Sequence, residues 1–159
     1  MSVSIHGKNY TIVTPTENRI EDILNLCAAH AEFERAPYHK EQKAIRLASD
    51  LWGQDQKLHC KVAVVEDKYV GYITWMKQYS TWDAKEYLYM DCLFLFEEYR
   101  GLGIGEELVN TMKEFGRKED IDLIQWQTPD FNVRAIKFYR RLGASSKSKE
   151  RFFLTINNS

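Results

Sequence analysis

Nothing in this chain is long and apolar enough to cross a bilayer: no uninterrupted apolar run approaches the roughly 20 residues that a membrane helix needs. The opening residues, Met1-Ser2-Val3-Ser4-Ile5-His6, hold no apolar core of signal-peptide length, so a cytoplasmic protein is expected. An excess of one charge is missing too. Lys and Arg number 22 against 23 Asp and Glu, for a formal net charge of −1, so no overall field gathers nucleic acid or an anionic membrane. Lys147 and Lys149, near Arg140 and Arg141, make only a small basic patch, with no aromatic-interleaved basic surface around it. Cysteines are few, odd in number and far apart (Cys27, Cys60, Cys92), which suits reduced thiols better than disulfides. His6, His30, His39 and His59 stand at no metal-ligand spacing from them, so no metal is expected. Repeats, low-complexity stretches and linkers are absent as well, and 159 residues suit a single domain, 1–159.

What is present is a regular alternation of element signals. Tyr10–Val13 reads as a short strand. Pro15-Thr16-Glu17 opens a helix with Thr16 as its cap, and Ile20, Ile23, Leu24, Cys27 and Ala31 recur on one face at helical spacing. Pro37 interrupts, and a second helix is expected from Lys40 to Trp52. His59–Val65 and Tyr69–Met76, rich in β-branched and aromatic residues, flank the turn signal Glu66-Asp67-Lys68. Lys85–Phe96 is a further long strand, and Ile121–Gln127 another. Pro129-Asp130-Phe131-Asn132 starts a helix that runs to Leu142 and stops at Gly143, and Arg151–Ile156 reads as a closing strand. The expected class is α/β (α+β), with a mixed, mostly antiparallel sheet flanked by helices.

The most informative stretch is Arg100-Gly101-Leu102-Gly103-Ile104-Gly105, between the apolar strand end Met90–Phe96 and the amphipathic helix Glu106–Arg117. Glycines at alternate positions leave backbone N–H groups uncovered at the positive end of a helix, a turn suited to an anion such as a pyrophosphate. A dinucleotide fingerprint fails, because its third glycine would fall on Glu106 or Leu108. A nucleoside-triphosphate loop fails for want of Gly-Lys followed by Ser or Thr. A plain glycine-rich connection without a ligand is the alternative that the hexapeptide alone leaves standing.

Arg100-x-x-Gly103-x-Gly105 in this context resembles the pyrophosphate-binding motif of the GNAT superfamily of acyl-coenzyme A N-acetyltransferases. Asn132-Val133-Arg134-Ala135-Ile136-Lys137-Phe138-Tyr139 is similar to that superfamily's second signature helix, and Gly71 matches the glycine usual in its second hairpin strand. The resemblance spans nearly the whole chain. It implies acetyl-CoA as co-substrate, no metal, and main-chain contacts to the coenzyme from Arg100, Gly101, Leu102, Gly103, Ile104 and Gly105. It also implies that Leu93, Phe94 and Leu95 offer main-chain groups to the pantetheine arm, where the strand splays from its parallel neighbour. Asn132 matches a coenzyme-contacting position, with a helix N-cap as its alternative. Tyr139 falls where the family places a phenol beside the departing sulfur, with amphipathic packing as its alternative. Family members commonly form homodimers.

Within the superfamily the likeness is to the spermidine/spermine acetyltransferase branch and its diamine and thialysine relatives, through Phe94–Gly105, Asn132–Ala144 and Ala31-Glu32-Phe33-Glu34. By that analogy Asp91 and Glu34 meet a cationic amine, either one able to relay its proton, and Trp82, Gln125, Trp126 and Gln127 line the acceptor side. Each has a plainer alternative: Glu34 as a solvated helix-end charge, the tryptophans as packing. The basic tail around Lys147 and Lys149 departs from that branch and would repel a polyamine if it faced the acceptor groove. An amino acid, an antibiotic or a protein N-terminus or lysine remain alternative acceptors, and a non-catalytic coenzyme-binding module is the rival class.

Overall fold

The long hairpins expected from the β-branched and aromatic runs form the centre of the protein. His59–Val65 (β3) and Lys68–Ser80 (β4) are joined by Glu66 and Asp67, both at left-handed angles, φ 49° and 63°, as a two-residue hairpin turn requires. A second hairpin leads from β4 into Lys85–Leu95 (β5). The computed structural model describes residues 2–5 and 8–157. Among these, Ser2–Ile5 (β1), Lys8–Val13 (β2), β3, β4, β5 and Ile124–Gln125 (β6) form one sheet in chain order. Every neighbouring pair is antiparallel except β5 and β6, which run parallel. The mixed, mostly antiparallel class is as expected. His6 lies outside the described residues.

The chain divides into two compact units, Met1–Gln127 and Thr128–Ser159. In the first, Ile20–Phe33 (α1) and Lys43–Trp52 (α2) connect β2 to β3, and Ile104–Lys118 (α3) connects β5 to β6. Ile23, Leu26 and Leu51 of the first two helices pack on Val62, Tyr72 and Phe94 of the sheet. Phe115 of α3 packs on Trp75, whose position alternates with Tyr72 along β4 and therefore faces the opposite side. At the usual transfer value of about 25 cal/mol per Å2, these two apolar layers are what hold the sheet between its helices.

The second unit carries Val133–Arg141 (α4). Asn132 caps it, its Oδ1 accepting from Ala135 N–H at 3.3 Å. Gly143, at φ 93°, ends it as expected, with Ala144 N–H donating to Tyr139 O at 3.1 Å.

Several expectations are corrected. Thr16 makes no side-chain cap; a short 3-10 turn, Glu17–Arg19, precedes α1 instead. The second helix begins at Lys43, because Gln42 before it is left-handed, φ 65°. The strand expected over 121–127 is only Ile124–Gln125: Ile121 N–H donates to Gly116 O at 2.8 Å, closing α3 through a left-handed Asp120, and so the chain enters the sheet late. β1 was not foreseen. Arg151–Ile156 forms no strand; in its own unit it has no ladder partner, and β propensity without a neighbouring strand does not make one.

Candidate active site

The geometry of the site starts from one extra residue. Leu88 N–H donates to Leu123 O at 2.9 Å, toward β6, whereas Phe96 N–H donates to Val70 O at 3.0 Å, toward β4. Positions an even number apart should face the same way, so the ladder changes phase between them. The change falls at Asp91: Met90 opposes Trp75 and Cys92 opposes Thr74, leaving Asp91 unopposed as a β-bulge, its side chain exposed. Past the bulge, Leu93 and Leu95 turn their main-chain groups away from β4. β6 no longer pairs there, since its register ends at Leu88–Ile124 and Tyr89–Gln125. The result is the splayed parallel pair expected, with an open backbone edge. Phe94, expected to share in that edge, directs its main chain to Tyr72 on β4 and its ring into the core.

The open edge leads into the glycine turn. Gly101 and Gly103 lie at φ 77° and 87°, and a Cβ built on either meets nothing within 4 Å, so the turn is bare above its backbone. Gly103 is the residue before α3, and no side chain caps that helix. Its first N–H groups, from Ile104 and Gly105 onward, are therefore the uncapped donors of a helix N-terminus. Arg100 does more than contribute an N–H. Its Nε donates to Leu95 O at 2.8 Å, and its guanidinium lies 4.5 Å from the Phe33 ring centre and 5.2 Å from that of Phe94. It thereby ties the turn to the end of β5 and to the last turn of α1. Gly71 is needed by close approach: a Cβ there would come within 2.9 Å of Phe94 O.

Around this edge the structure gathers some of the expected acceptor residues and leaves others apart. Glu34, at the C-terminal end of α1, accepts from His30 Nε2 at 2.8 Å, and the His30 ring stacks on Phe94 at 5.1 Å. Gln125 ends β6, and Trp126 and Gln127 follow it directly, the two glutamines exposed and Trp126 half-buried. Trp82 is different. It sits 99% exposed in the turn between β4 and β5, and Asp91 lies six positions along β5 from Lys85, about 20 Å of extended chain. In the second unit, Asn132 is buried and its carbonyl oxygen is already used as the cap, leaving the amide nitrogen for any ligand. Tyr139 is half-buried beside Phe138, ring centres 5.6 Å apart. Among the described residues, no group of three or more His, Cys, Asp or Glu stands together as a metal site, and no helix is long and apolar enough to cross a membrane.

The sequence profile of the acetyltransferase (GNAT) family matches residues 19–144, across both units. The chain belongs to the GNAT acetyltransferase family. Among curated proteins, this acetyltransferase is 28% identical over 132 residues to thialysine N-epsilon-acetyltransferase of Caenorhabditis elegans, covering 83% of this chain and 81% of that one. It is 26% identical over 136 residues to the human spermidine/spermine N(1)-acetyltransferase-like protein 1, covering 81% of this chain but 19% of that longer protein. Among solved structures, an aminoglycoside N-acetyltransferase in complex with CoA superposes with a TM-score of 0.80 at 14% identity, covering 98% of this chain and all of the other. That likeness is one of fold.

Two residues packed beside the open edge were not singled out by sequence reasoning. His30 was read only as a non-ligand, and Tyr72 only as a strand residue. Tyr72 lies 1% exposed, its hydroxyl 2.9 Å from His30 Nδ1, and burial drives its pKa far up, with the Cys92 and Cys27 thiols adding to the shift. Burial likewise pushes the Cys92 thiol up to about 12, with the Asp91 carboxylate next in effect. The available signal was the i,i+4 spacing of His30 and Glu34 on one helix.

Proposed function

We propose that this protein transfers an acetyl group from acetyl-CoA to a primary amine, a small diamine or polyamine-like molecule being the favoured acceptor, with both units acting as one domain. The observation that carries the reading is the bulged, open end of β5 running straight into a bare glycine turn and an uncapped helix N-terminus. In this reading the N–H groups of 100–105 hold the coenzyme's pyrophosphate, Leu93 and Leu95 pair with the pantetheine arm as an added strand, and the Asn132 amide makes a further contact. Resemblance to the diamine and thialysine relatives supports the amine acceptor.

The chemistry is a direct transfer. An alkylamine with a pKa of about 10.4 holds its lone pair as ammonium at pH 7, at a cost of about 4–5 kcal/mol, so a base must take one proton first. Asp91, exposed at the bulge beside the open edge, serves that step directly or through water. The free amine then attacks the thioester carbonyl carbon, and main-chain N–H groups of Leu93 and Leu95 steady the oxyanion. The carbon–sulfur bond breaks, the nitrogen gives up its second proton to water, and coenzyme A leaves as thiolate. An ordinary thiol pKa of about 8.5 lies below a phenol's of about 10, so full proton transfer from Tyr139 is uphill by about 2 kcal/mol and the phenol acts chiefly as a hydrogen-bond donor to the sulfur.

Thiol release from acetyl-CoA across a panel of amines and peptides tests the activity. Tyr139→Phe should keep coenzyme affinity by calorimetry and lower turnover about ten-fold or more; wild-type turnover in that variant removes Tyr139 from the reaction. Coenzyme binding without turnover on any acceptor would instead identify a binding module. A cytoplasmic homodimer completes the proposal.

A further inference from the structure

Glu34 stands where a helix does not want a carboxylate. It closes the C-terminal end of α1, where the exposed carbonyls carry partial negative charge and a cation is the stabilising choice. The residue that follows, Arg35, takes φ 59°, a left-handed angle that glycine or asparagine adopts more readily. Helix stability therefore gives no reason for the acid, yet the structure fixes it firmly. One oxygen, Oε2, is held at 2.8 Å by His30 Nε2, one turn earlier. The other, Oε1, carries no hydrogen bond among the described residues.

His30 is itself held by Tyr72 and Phe94. Its Nδ1 is 2.9 Å from the buried hydroxyl of Tyr72, its ring stacks on Phe94 with centroids 5.1 Å apart and planes at 21°, and Tyr72 meets it edge-on at 5.8 Å. The carboxylate can only accept, so Nε2 carries the hydrogen of that contact and donates it to Oε2, while Nδ1 faces the Tyr72 hydroxyl. The imidazole thereby orients the carboxylate, and Oε1 is left to accept from a cation. Phe94 places this assembly against the end of β5, beside the open edge formed by Leu93 and Leu95.

We infer that His30 is a positioning residue for the acceptor: pinned by Tyr72 and Phe94, it aims the Glu34 carboxylate at the ammonium group of a cationic amine bound at the open end of β5. The inference rests on the acetyl-transfer reading above and names what sets amine affinity within it. His30 does not touch the reacting atoms, so its loss acts on binding of the amine rather than on the chemical step.

Steady-state kinetics with acetyl-CoA and a linear diamine, on the full chain, provide the test. His30→Leu should raise the KM for the diamine about ten-fold or more, with kcat within about three-fold and the KM for acetyl-CoA unchanged. His30→Gln keeps an amide N–H at i,i+4 from Glu34 and should recover most of the diamine KM. His30→Asn, whose shorter amide reaches toward Tyr72 instead, should not. Adding His30→Leu to Glu34→Gln should raise KM no further than Glu34→Gln alone. A diamine KM unmoved in His30→Leu, equal recovery by Gln and Asn, or a parallel rise in the KM for acetyl-CoA overturns the inference while leaving acetyl transfer intact. If the wild-type protein acetylates no amine, the acetyl-transfer reading fails first and this inference with it.

Discussion

At Gly103 a single backbone angle decides whether the proposed anion site can form. The residue is at φ 87° with nothing within 4 Å of where a Cβ would stand, so a side chain meets backbone strain rather than a clash. An alanine costs about 1–2 kcal/mol to hold in that region. Gly103→Ala should therefore weaken acetyl-CoA binding about ten-fold in calorimetry, with a modest loss in melting temperature, and unchanged affinity would mean that the turn does not grip the coenzyme. That glycine was legible in the sequence, because the spacing of the motif reports directly on local backbone geometry. The role of Arg100 was only half legible. Its N–H belongs to the motif, but its bond to Leu95 O and its place over Phe33 and Phe94 join residues far apart in the chain.

Elements divide in the same way. β3 is found where its β-branched residues and the turn signal after them put it, since both are local. The shortness of β6 was not visible, because it follows from how α3 ends and from the bulge in β5. His59, at the head of β3, shows a packing consequence. It stacks on Trp75 at 5.8 Å and lies 4.4 Å from the Phe115 ring of α3. Burial, and then the charge of Lys77, hold its pKa below the ordinary 6.5. The unfolded chain thus binds more protons than the folded one between the lowered value and 6.5, and stability rises with pH across that window. It is complete above about pH 6.5 and is lost as the pH falls toward the folded value. Melting temperature should drop on acidification through this range, and His59→Phe should flatten the drop; equal slopes in both proteins would refute the coupling.

At the scale of the molecule, the second unit ends in a segment that a sheet would be expected to use and does not. Phe152, Phe153, Leu154 and Ile156 are 89%, 80%, 90% and 95% exposed, more contiguous apolar surface than a short tail ordinarily leaves in water. A homodimer that covers this segment should sediment at twice the chain mass, and Phe152→Asp combined with Leu154→Asp should yield monomers; a wild-type protein that stays monomeric at high concentration excludes it. The sequence by itself determined the order of elements from β2 to α4, the glycine turn and the stop at Gly143, because helical and strand periodicity and backbone angles are properties of neighbouring residues. Tertiary structure alone decided which way Leu93 and Leu95 face, how far β6 runs, and that Tyr72, His30 and Glu34 form one line. Tyr72 and His30 are 42 positions apart, and no local pattern encodes a meeting at that separation.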